Sequence, residues 1–116
     1  MKITKLALIV ALSATLSAPA FAHSKKTSTT PAEGATVKSV EKIAIGFSMP
    51  MRVTSIKLMS GDEELPIRRD VGMEAVEEFT GAPEAPLAPG AYTIEWKGMS
   101  PDGHIMEGDI DFTVAK

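Results

Sequence analysis

An all-β sandwich or barrel of about seven short strands is the fold class that the sequence predicts, on three observations. Apolar and polar residues alternate with a period of two in several segments. Gly- and Pro-rich turns separate those segments, and no stretch sustains the longer period of an amphipathic helix.

The first 22 residues are read separately, as a secretory signal. Lys2 and Lys5 form a short positive region, and Leu6 to Leu16 (LALIVALSATL) is an apolar run of the length a signal core needs. Ala20-Phe21-Ala22 then supplies the small-x-small pattern at which signal peptidase cuts. A retained membrane anchor needs a longer apolar stretch, and Ser13, Thr15, Ser17 and Pro19 dilute this one. Cleavage after Ala22 is expected. Removing 22 of 116 residues leaves 94, one compact domain over residues 23–116, exported to the periplasm.

The elements follow in order. Val40 to Phe47 (VEKIAIGF) sets Ile43, Ile45 and Phe47 against Lys42, Ala44 and Gly46, and Pro50 is expected to end that strand. Ser55 to Ser60 alternates Ile56 and Leu58 with Lys57 and Met59, closed by Gly61-Asp62. The region from Pro66 to Thr80 is irregular and reads as strand or loop, since Glu74 to Glu78 is too short and uncapped for a helix. Gly81 to Gly90, with three prolines, is expected to be a surface connection. Tyr92, Ile94 and Trp96 face one way and Thr93, Glu95 and Lys97 the other. In the last strand Ile110, Phe112 and Val114 oppose Asp109, Asp111 and Thr113. Such two-faced segments are half-buried antiparallel strands.

Charge and composition narrow the function. The leader carries two of the twelve basic residues and none of the fifteen acidic ones, so the mature chain has ten against fifteen and a formal charge of −5. An acidic chain without a basic cluster does not suit nucleic acid or anionic lipid; a cation does. There is no cysteine. Disulfides, thiol redox chemistry and a blue-copper centre, which needs a Cys ligand, are all excluded.

Two histidines remain, and their places matter. After cleavage His23 is the first residue, offering its free amine and its ring Nδ1 to one metal ion. His104 sits in Ser100-Pro101-Asp102-Gly103-His104. In an extended chain Asp102 and His104 share a face, and Gly103 between them permits a tight backbone. Three nitrogens and a carboxylate oxygen form a set that Cu(II) prefers in a plane. Zinc accepts the same ligand types in a tetrahedron. A turn built on Asp-Gly and a chance terminal histidine is the plainer alternative.

The chain resembles the CopC family of periplasmic copper-binding, copper-resistance proteins along nearly all of its mature length. His23 followed by Pro31-Ala32-Glu33-Gly34-Ala35 is similar to the family's amino-terminal segment, and Phe47-Ser48-Met49-Pro50 to its Phe-Ser-x-Pro. Gly90-x-Tyr92-x-Ile94-x-Trp96, then Ser100-x-Asp102-Gly103-His104-x-x-x-Gly108-x-x-x-Phe112-x-Val114, resembles its longer carboxy-terminal signature. The resemblance implies an immunoglobulin-like, cupredoxin-related Greek-key β-sandwich. It also implies one Cu(II) per chain, held by the amine and ring of His23 with Asp102 and His104. Met49 stands where an acidic or polar residue is more usual. The thioethers of Met49 and Met51 are the one close pair that suits Cu(I), as a weak site; the other methionines read as packing.

The expected role is to buffer copper, or deliver it to a membrane copper transporter or another exported copper protein, as a monomer and without catalysis. Two other classes suit the sequence less well. A copper-dependent oxidative enzyme of the histidine-brace type needs an open coordination position and a broad substrate face, and 94 residues with few aromatics leave little room for one. A sandwich module without metal would make both histidines incidental.

Overall fold

The computed structural model describes residues 26–116, all of whose elements are strands. They are β1 (Lys26–Thr30), β2 (Ala35–Val37), β3 (Ile43–Ser60), β4 (Glu63–Leu65), β5 (Ile67–Arg69), β6 (Ala75–Pro83), β7 (Gly90–Met99) and β8 (Ile105–Val114). The all-β expectation holds, with eight strands instead of about seven. The additional ones are short.

β3 organises the whole. Its first part pairs with β1 on one edge and β6 on the other, as Ile45 does with Thr29 and Phe79. Its last part pairs with β7 and β4, as Leu58 does with Ile94 and Leu65. β8 joins β7 antiparallel, β2 joins β8 in parallel, and β5 joins β6. One hydrogen-bonded path therefore runs β2-β8-β7-β3-β6-β5, and β1 and β4 join the same sheet beside it through β3. The sheet curls, and both of its halves send side chains into one core. Phe47 from the first half meets Trp96 from the second edge-on, with ring centroids 5.3 Å apart.

Pro50 does not end the strand as expected. The register of β3 against β6 shifts between Gly46 and Met51, so extra residues bulge there and the strand bends. A proline is tolerated in such a bulge, where its missing N–H is not asked to pair. The expected surface connection at Gly81–Gly90 is likewise shorter, because β6 runs on to Pro83.

The alternations expected in the last strands are realised. Tyr92, Ile94, Trp96, Ile110, Phe112 and Val114 are all buried, as are Ile43, Ile45 and Phe47. The Tyr92 hydroxyl donates to the Ala88 carbonyl, tying the start of β7 to the loop before it.

Candidate metal centre

The tip of the β7–β8 hairpin carries the candidate site. Met99 and Ile105 are its last cross-strand pair, and residues 100–104 close it. Gly103 N–H donates to the Ser100 carbonyl and Ser100 N–H to the His104 carbonyl, each at 2.9 Å. Pro101 presets the backbone at the second position of the turn. Gly103 then takes φ 90°, a conformation that side chains rarely adopt. The local sequence Ser-Pro-Asp-Gly thus dictates a tight reversal rather than the extended segment expected from the spacing.

That reversal still brings the two predicted side chains together. His104 Nδ1 lies 2.8 Å from Asp102 Oδ2. The other oxygen, Oδ1, accepts from the Ser100 hydroxyl and, at 3.3 Å, from the His104 backbone N–H. Three donors favour the ionised carboxylate, and Ser100 does so most. The Asp102 carboxyl is accordingly held down from 3.8 to about 2. Both side chains stay open to an ion, with 65% of Asp102 and 74% of His104 exposed.

The remaining predicted residues lie elsewhere. His23 is outside the described residues. Among the described residues, no third His, Cys, Asp or Glu side chain completes a metal-binding group with this pair. Met49 is half-buried on the bent part of β3, whereas Met51 has no exposed surface and belongs to the core cluster. Gly98 across the sheet makes room for Met51: a Cβ there would stand 2.9 Å from its Cγ and 3.1 Å from its sulfur. The two thioethers therefore do not form the exposed pair expected of a weak Cu(I) site.

Ser100 was legible only as part of a motif. The signal for its place is the alternation of β7, which puts even-numbered residues inward from Tyr92 onward and, continued one step past Gly98, puts Ser100 there too. Ser100 is 4% exposed, the one buried polar residue among those described.

Comparisons with known proteins agree with this architecture. A family model described as the CopC domain matches residues 26–115. Copper resistance protein C of Xanthomonas campestris pv. juglandis is 31% identical over 118 residues, covering 91% of this chain and 91% of that one. The crystal structure of PcoC, a methionine-rich copper resistance protein from Escherichia coli, superposes with a TM-score of 0.65 at 27% identity, covering 79% of this chain and 98% of that one. The crystal structure of CopC from Methylosinus trichosporium OB3b shares the fold, with a TM-score of 0.68 at 23% identity over 80% of this chain and 94% of that one.

Proposed function

This chain belongs to the CopC family, and on that premise we propose that it is an exported, periplasmic protein that holds one Cu(II) between His23, Asp102 and His104. It buffers the ion or passes it to another copper protein. The family's relatives are named for copper resistance, which is a binding role rather than catalysis. The oxidative-enzyme reading is set aside accordingly.

The observation that carries the proposal is the 2.8 Å spacing of His104 Nδ1 and Asp102 Oδ2. Two cis ligands about 2.0 Å from a square-planar ion stand about 2.8 Å apart. Copper can thus take the place of the proton the pair now shares, after the side chains turn their lone pairs toward a common point. The donors are nitrogen and oxygen, the pair is exposed, and the carboxylate is ionised. That chemistry fits Cu(II).

Strand pairing supports the part of His23. β1 and β7 lie on the same edge of β3, since both are opposite β6. Read backward from Thr30 to Lys26, β1 runs toward higher β3 numbers and reaches Phe47. β7 ends at Met99, beside Arg52, and heads toward lower ones. The two chain directions converge on the bend. Three residues lead back from Lys26 to His23, a reach of up to about 10 Å.

The test is to block the amine. Adding one residue before His23, or acetylating it, removes one of three nitrogens and a chelate ring. Cu(II) affinity, measured by competition titration, is expected to fall by orders of magnitude. Unchanged affinity would sink the role of His23. Intact mass with and without copper fixes the terminus and the stoichiometry together.

A further inference from the structure

Asp102 and His104 stand on an exposed turn, and exposed side chains ordinarily sample several rotamers. One contact ties their geometry to the rigid body of the protein through a side chain. The Ser100 hydroxyl donates to Asp102 Oδ1 from a position that is 4% exposed. A hydroxyl has one proton. The neighbouring His104 carbonyl, at 3.4 Å, is the poorer acceptor, so the proton goes to the carboxylate. Ser100 is itself fixed, by its backbone bonds to Gly103 and His104 and by the end of β7 in the core.

We propose that Ser100 is the positioning residue of the copper centre: its buried hydroxyl anchors Asp102 Oδ1, so that Oδ2 is the oxygen turned to His104 and the ligand pair exists before copper arrives. This rests on the reading of Asp102 and His104 as ligands. Ser100 touches no metal. It acts through Asp102, and Asp102 in turn orients the imidazole. A free carboxylate would have to be immobilised at the moment of binding, whereas the anchored one is already in place. Removing such an outer hydrogen bond to a metal ligand costs about 10–100-fold in affinity.

The test is a cycle of Ser100→Ala, Asp102→Ala and their combination, with His104→Ala as control. Competition titration reads Cu(II) affinity, and ¹⁵N NMR of the copper-free protein reads the His104 ring. Ser100→Ala is expected to bind Cu(II) about tenfold more weakly. In the Asp102→Ala background it is expected to cost nothing further. Neutral His104 is expected to carry its proton on Nδ1 in the unaltered protein and to divide it between both nitrogens in Ser100→Ala. Ser100→Thr, which keeps the hydroxyl, is expected to restore both readings.

Four results overturn the proposal: unchanged affinity in Ser100→Ala, an equal loss with and without Asp102, failure of Ser100→Ala to fold, or a loss in Ser100→Thr as large as in Ser100→Ala. If Asp102→Ala and His104→Ala both leave affinity intact, the metal-centre reading falls as well. If they lose it and Ser100→Ala does not, only the role of Ser100 falls.

Discussion

Asp102 with His104 and Met49 with Met51 are the two pairs that the sequence offers to copper, and both are spaced at i and i+2. The first pair stands in solvent at a hairpin tip, with its donor atoms 2.8 Å apart. The second lies on the bend of β3, with Met49 half-buried and Met51 wholly inside the core. Equal spacing has opposite consequences because one pair sits on a turn and the other on a strand. On a strand, the common face is the face that packs. For a thioether, packing is the more favourable use, whereas an ionised carboxylate has to stay near water or a partner.

The comparison breaks most readily at His104. His104→Ala is expected to abolish tight Cu(II) binding and leave the unfolding temperature nearly unchanged, because its side chain is largely exposed and precedes β8. Calorimetric unfolding beside a copper titration checks both halves. A variant that unfolds yet binds normally while folded would make His104 structural.

Met51 is expected to show the reverse pattern. Met51→Ala should cost about 2–5 kcal/mol of stability, as large-to-small changes in a core do. Met51→Leu should cost less than about 1.5 kcal/mol, and Met49→Ala less than half the Met51→Ala loss. Denaturant unfolding measures all three. The Met49→Leu/Met51→Leu double variant should leave competition with a Cu(I) chelator unaltered, because Met51 is held inside the core. A tight Cu(I) complex that disappears in the double variant would mean that Met51 leaves the core to bind.

The smallest effect concerns which ligand sets the pH of release. The folded Asp102 carboxyl is depressed to about 2, so the hydrogen bonds it accepts favour the fold above its ordinary 3.8 and are lost only as pH falls through about 2. Between pH 8 and pH 5 the carboxylate therefore stays ionised. Weakening of Cu(II) binding in that range should come from the nitrogen ligands, up to about tenfold per pH unit for each proton displaced. Asp102→Asn should bind more weakly but with the same pH slope. A flatter slope in that variant would return the carboxylate to the titration.

Much of this protein was legible from its residues alone. Period-two alternation identified the inward faces of β7 and β8, because a half-buried strand must bury every second side chain. The Ser-Pro-Asp-Gly run marked a turn, since Pro and Gly each restrict or release the backbone locally. The want of cysteine excluded whole classes of chemistry. Each of these inferences rests on a force acting within a few residues. What the tertiary structure decided is long-range. It carried β3 through Pro50, because strands on both of its edges hold a bulged segment in place. It put Met51 against Gly98 and Ser100 behind Asp102. Which residue packs opposite a buried side chain, and which strands hold a bulge in place, depends on partners dozens of residues away, and no local spacing encodes them.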